Sequence, residues 1–290
     1  MRTIPFWLWL NIFGLDAPVI TVLWQNAFAE AFGIRLEFPM RLGLFCVVWA
    51  VYLGDRLLDG LRLNVTETSS ARHRFAAKHP LLITILLLPA IAGAAYAALL
   101  TPKNLLCVGA ALGISTILYF LWNQAARGSF SRKYFKEIII CTIFVLGVLA
   151  APATLGAAMH SAFFISAVIF FLVCLSNCAM ISRIERDIDI ARGEESYAIH
   201  FAGDLKPARW ISVTIVVLSI VLTFINAIPL ILAISFILTG IGLCSTVFVE
   251  RITSPRFSVV WADLCLMSPV LLLDFHHLPQ NAHLLWQFPV

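Results

Sequence analysis

Charge is what this sequence has least of. Only 12% of its 290 residues are Asp, Glu, Lys or Arg, against 61% hydrophobic, and the mean hydropathy is +0.93. A water-soluble domain of that size would have to expose apolar patches far larger than soluble proteins carry, so that class is excluded. Motifs of several enzyme classes are also missing: no phosphate-binding P-loop, no dinucleotide glycine fingerprint, no haem attachment pattern and no nucleophile elbow. The seven cysteines, Cys46, Cys107, Cys141, Cys174, Cys178, Cys244 and Cys265, lie in apolar segments without zinc-site clustering and read as reduced packing residues. The N-terminus, MRTIPFWLWL, lacks a small-residue cleavage site, and Asn11 and Asp16 interrupt its apolar core, so it reads as the start of a membrane helix. Nothing resembles a transporter's inverted repeat with helices broken at the bilayer midplane.

What the sequence does have is long apolar runs. Stretches able to cross a bilayer span about 7–32, 39–60, 80–100, 104–122, 137–156, 160–181, 207–226, 228–249 and 257–276, with proline breaks at Pro102 and Pro229 separating two continuous pairs. The expectation is an all-α polytopic membrane protein of about nine transmembrane helices, one integral membrane domain over 1–290. The net charge of +4 then speaks of topology, not of nucleic acid. Lys and Arg gather after helices two, four, six and eight (Arg62, Arg72, Arg74 and Lys78; Arg127, Arg132, Lys133 and Lys136; Arg183, Arg186, Arg192, Lys206 and Arg209; Arg251 and Arg256). The odd connections hold only Arg35, Arg41 and Lys103. The positive-inside rule puts the N-terminus and the even connections in the cytoplasm and the C-terminus outside, as in the cytoplasmic membrane if the source is bacterial.

Two acidic clusters stand at the ends of apolar runs of the same parity. In VYLGDRLLDG, residues 51–60, Asp55 and Asp59 are four apart and share a helix face. In ERDID, residues 185–189, Glu185 and Asp189 repeat the spacing. Carboxylates at a membrane mouth are costly and commonly functional. Oxygen donors without His or Cys beside them suit Mg²⁺, which favours a few carboxylates plus phosphate oxygens. The implied ligand is a phosphate or diphosphate, with Arg56, Lys136, Arg186 and Arg192 as its neutralising cations. The 22 Phe and 8 Trp offer faces to a carbocation, though most must be core or lipid-facing.

These residues resemble the UbiA superfamily of intramembrane prenyltransferases, nine-helix bundles with two Asp-rich motifs at the cytoplasmic ends of helices two and six. Asp55, Arg56, Asp59 and Gly60 match the first motif; Glu185, Arg186, Asp187, Asp189, Gly193 and Ser196 follow the spacing of the second. Lys136 sits where the family often has a basic residue before helix five. The departures are Val51, where the family has Asn, and Glu185, where it has Asp. The resemblance implies Mg²⁺ held by Asp55, Asp59, Glu185 and Asp189 and ionisation of a prenyl diphosphate. It also implies transfer of the prenyl group to an aromatic or lipid-like acceptor, quinone-type biosynthesis being favoured by the ERDID pattern. The alternatives are an intramembrane terpene cyclase on the same scaffold, or a non-catalytic relative for which Val51 speaks.

The remaining polar residues carry milder expectations. Asn11, Asp16, Asn177 and Asp263 shape an acceptor pocket or, preferably, bond across helices. Asp187 lies off the Glu185 and Asp189 face and has at most an accessory or acceptor-binding role. His276, His277, His283 and Trp286 read as an interfacial tail. Residues 61–79 and 182–206 form cytoplasmic connections over the site, with 68–80 either an amphipathic lid or a basic membrane-surface loop.

Overall fold

A computed structural model describes residues 5–62, 71–125, 130–192, 199 and 206–273, and among these the chain is helical with no strand. The helices are α1 (Trp9–Phe13), α2 (Asp16–Ala31), α3 (Phe38–Arg62), α4 (Ala71–Lys78), α5 (Pro80–Leu100), α6 (Lys103–Ala125) and α7 (Phe130–Thr154). After them come α8 (Ser161–Ile184), α9 (Arg186–Arg192), α10 (Lys206–Phe224), α11 (Leu230–Ile252), α12 (Pro255–Cys265) and α13 (Val270–Leu273). Seven of these are long and apolar enough to cross a membrane; α1 with α2 makes an eighth span that is bent by 80°. The last expected span is α12 and α13 in sequence, separated by turns. The proline breaks fall as expected: Pro102 and Pro229 each immediately precede a helix.

The first span is not the single helix drawn from hydropathy. Gly14 takes a left-handed conformation (φ 64°) and ends α1, while the Asn11 amide donates to Asp16 Oδ2 at 2.7 Å across the break. Broken helices inside a membrane need their freed carbonyls satisfied. Here α3 does it: Trp49 Nε1 donates to the Phe13 carbonyl at 3.0 Å, and Arg56 Nη1 donates to the Ile12 carbonyl. The polar residues that interrupt the apolar core in the sequence are those that turn the chain.

In lipid, apolar contact between helices gains little over contact with acyl chains, so close packing and polar contacts must hold the bundle. Both are present. Trp24 of α2 stacks on Phe236 of α11 (5.3 Å) and lies 4.6 Å from Phe170 of α8, all three fully buried. Trp24 Nε1 also donates to the Leu266 carbonyl beyond α12 at 2.8 Å. Ser176 of α8 meets Ser212 of α10 at 2.7 Å, and Thr239 of α11 meets Ser268 at 2.7 Å. At Gly93 an added Cβ would stand 2.6 Å from Cys46 Sγ, so α5 lies tight on α3 because that residue is glycine. Hydroxyls such as Thr116 and Thr142 bond to their own helix four residues back, which keeps them satisfied without a partner helix. The helices α5 and α6 lie outermost and turn leucines and isoleucines outward, as a lipid-facing surface requires.

Candidate functional site

Helix α3 carries the first acidic motif on its last turns, and its neighbouring residues point different ways. Asp55 is exposed, whereas Leu53 and Arg56 are buried at 0% and 5%. Arg56, expected as a diphosphate ligand, is turned inward: its guanidinium backs onto Gly14, and Nη1 serves the Ile12 carbonyl. Its visible task is holding the break in the first span. Asp59 lies in α3, its side chain outside the described residues. Gly60 has a clear reason to be glycine, since a Cβ there would meet the backbone of Ala76 and Ala77 at 3.0 Å. The short helix α4 is pressed onto the acidic end of α3 at that point.

From that seat α4 reaches the second motif. Arg72 Nη2 lies 2.5 Å from Glu185 Oε2, an ion pair with the two side chains 22% and 14% exposed. Burial by itself would lower the Arg72 guanidinium, but Glu185 foremost, then Asp16, Asp263 and Tyr52, outweigh it and raise it. The sequence alone reads Arg72 as a topology charge. Its signal, a basic residue in a candidate lid opposite a same-parity acidic cluster, was legible only once α4 was known to pack on α3.

Aromatic rings fix α4 in place. Phe75 meets Trp9 at 5.9 Å and Phe13 at 5.8 Å edge-on, while Trp9 stacks on Phe13 at 5.3 Å. The expected amphipathic cover in 68–80 is therefore a helix over 71–78 clasped against α1 and α3.

The second motif opens helix α9. Glu185 caps α8; Arg186 pairs loosely with Asp187 at 3.8 Å, and Asp187 is 97% exposed, away from Glu185. Asp189 is half-buried in α9, and the Arg192 side chain lies outside the described residues, as do Gly193, Ser196, His276, His277, His283 and Trp286. The end of α8 is braced by Arg183, 3.3 Å from Glu250 of α11. Lys136 is half-buried near the start of α7. Its level follows from the helix hairpin: Cys141 and Cys178 face each other at 3.5 Å, and five residues, roughly 7.5 Å of helix, carry Lys136 to the height of Arg183.

Deeper in the bundle lie the expected interhelical bonds. Asn177 of α8 donates to Asp263 Oδ1 of α12 at 3.3 Å, and Asp16 accepts from Asn11 and from the Ala17 amide. Asn11, Asp16 and Asp263 line a narrow cleft with Leu10, Val260, Leu264 and Met267. A wider cavity of about 440 Å³, lined by Asn26, Glu30, Arg35 and Arg41 among others, lies at the opposite end of α3 and includes no residue of either acidic motif.

Among the described residues, which leave out the Asp59 side chain, no three His, Cys, Asp or Glu groups gather to hold a metal. Glu185, expected as a ligand, is engaged by Arg72. That contact joins α4, which is seated on the first motif at Gly60, to the second motif.

No family model and no curated protein matches the sequence. Among solved structures, the chain is similar to the apo structure of a UbiA homolog from Aeropyrum pernix K1. The TM-score is 0.59 at 12% identity, over 90% of this chain and 99% of that one. At that identity the likeness is one of fold, and the fold is UbiA-type.

Proposed function

Taking that fold as the premise, we propose that the protein transfers a prenyl group from a prenyl diphosphate to a hydrophobic or aromatic acceptor within the membrane. The observation that carries the reading is the Arg72–Glu185 pair, by which the cover of the first acidic motif rests on the second. An apolar bundle closed at one end by carboxylates and cations suits an amphiphile with a long hydrocarbon tail and a polyanionic head. The tail lies among the helices; the diphosphate lies at the charged end, where Arg72, Lys136 and Arg186 supply positive charge.

The reaction breaks the allylic C–O bond, with the electron pair leaving on the diphosphate. The acceptor's nucleophilic atom forms the new bond to carbon and releases a proton. Cations held at the leaving oxygens stabilise the charge that develops there. The surrounding bilayer excludes water that would otherwise capture the allylic cation. Asp55, Asp59 and Asp189 are the proposed ligands of Mg²⁺, which would add Lewis-acid charge at the same head group. The charged end is proposed to face the cytoplasm, and the acceptor to be of the quinone-precursor type.

The test is diphosphate release by the purified protein in detergent with Mg²⁺ and a panel of prenyl diphosphates, with and without an aromatic acid, beside Asp55→Ala and Asp189→Ala. Release that requires the acceptor and is lost in both variants supports transfer. Acceptor-independent release favours a cyclase, and no release with any substrate rejects an enzyme of this class.

A further inference from the structure

Glu185 is expected to bind metal, yet one oxygen of its carboxylate, Oε2, is taken by the Arg72 guanidinium. The two partners come from segments 113 residues apart, and each is independently fixed. The helix that carries Arg72 is set by the Phe75, Trp9 and Phe13 rings and by the backbone seat at Gly60; Glu185 is set at the end of α8, whose last turn Arg183 ties to Glu250. A contact between two fixed elements is a built one. It also uses only part of what the guanidinium has: Nη2 is bonded to Glu185, while Nη1 and Nε make no hydrogen bond among the described residues. An arginine fork held by one carboxylate, with donors to spare and partly open to the outside, matches the geometry of a phosphate oxygen pair.

We infer that Arg72, positioned by Glu185, is the cation that receives the substrate's diphosphate at the second acidic motif, and that Glu185 is its counter-ion and not a metal ligand. This rests on the prenyl diphosphate reading above and departs from the family expectation for the leading acid of that motif. Two consequences follow. Part of the affinity for diphosphate is independent of divalent metal, because a fixed guanidinium supplies it. Glu185 acts as a positioning residue, so neutralising it disturbs Arg72 while leaving the metal ligands in place. The longer reach of Glu over Asp fits a carboxylate that meets a helix-borne arginine instead of converging with others on a small ion.

The experiment uses the full chain in detergent, with inorganic diphosphate and geranyl diphosphate as probes. Binding is measured by calorimetry in EDTA and in Mg²⁺, and Mn²⁺ binding by paramagnetic resonance. Wild type is expected to bind diphosphate in EDTA, and Arg72→Gln to weaken that binding by about 10- to 100-fold, the worth of a charge-assisted hydrogen bond. Arg72→Lys, which keeps the charge but loses the fork, is expected to recover part of it. Glu185→Gln is expected to leave Mn²⁺ affinity unchanged, whereas Asp189→Asn lowers it. Melting temperatures of all variants separate lost binding from lost fold. If Glu185→Gln abolishes Mn²⁺ binding, or Arg72→Gln binds diphosphate in EDTA as wild type does, the inference is overturned. If wild type binds geranyl diphosphate only with Mg²⁺, the inference falls while the prenyl diphosphate reading stands. If it binds neither probe under any condition, both fall.

Discussion

Replacing Gly14 by alanine tests the break in the first span, on which the placement of Arg56 and α1 depends. Gly14 has φ +64°, and an added Cβ would stand 3.2 Å from Arg56 Nη1 and 3.3 Å from its Cζ. Left-handed backbone costs a residue with a Cβ about 1–2 kcal/mol. Arg56 is only 5% exposed and already bonded to the Ile12 carbonyl, so the guanidinium gives way at the expense of that bond. Losing that charge-assisted hydrogen bond altogether would cost roughly 1.5–3 kcal/mol more, which is the ceiling for weakening it. Gly33 is an internal control, because its φ is +66° and nothing lies within 4 Å of its Cβ position. Gly33→Ala should cost the backbone share alone, and Gly14→Ala should exceed it by up to about 3 kcal/mol. The assay is reversible denaturant unfolding in mixed micelles followed by tryptophan fluorescence. In an Arg56→Met background the excess at Gly14 should vanish, since the group it strikes is gone. Equal losses at the two glycines, or an excess that survives Arg56→Met, would refute the reasoning.

Other perturbations reach the rest of the bundle. Gly93→Ala puts a Cβ 2.6 Å from Cys46 Sγ and should destabilise by about 1–3 kcal/mol, with Cys46→Ala restoring most of it; an innocuous Gly93→Ala would contradict the α3–α5 packing. Trp24→Phe keeps the ring stack but strands the Leu266 carbonyl, an expected loss of about 1–3 kcal/mol, and Trp24→Ala should lose about 3–5, both read by the same unfolding assay. Cys141 and Cys178, 3.5 Å apart, should form a disulfide under copper–phenanthroline, seen as a mass lower by two hydrogens and blocked in Cys178→Ser; both thiols remaining alkylatable would contradict the α7–α8 register.

The membrane class and most of the spans were legible because hydrocarbon thickness fixes run length, and Pro102 and Pro229 mark where runs are cut; the ninth expected span, among the described residues, is the two short helices α12 and α13, neither long enough to cross alone. Asp55 and Glu185 stand out in the sequence because charge is scarce enough here for its spacing to signify; that Glu185 meets an arginine is visible only in the fold. The bend at Gly14 was half visible: Asn11 and Asp16 showed as interruptions, but hydropathy averages over a window and carries no backbone torsion. Arg72 was counted as a topology charge because its partner is 113 residues away, and only the seat of α4 on Gly60 brings them together. Arg56 shows the reverse error. Its place in the motif argued for substrate, while its position on the helix turned it to the interior.

The central claim is that a prenyl diphosphate is consumed by transfer, and the fate of its carbon skeleton tests this most directly. The protein in liposomes is given isotope-labelled prenyl diphosphate, Mg²⁺ and an aromatic acid, and the lipid extract is followed by mass spectrometry. The account predicts label in a product equal to acceptor plus prenyl group less one hydrogen, formed in step with diphosphate release. Label remaining wholly in intact prenyl diphosphate, or passing into an acceptor-free hydrocarbon, would contradict it.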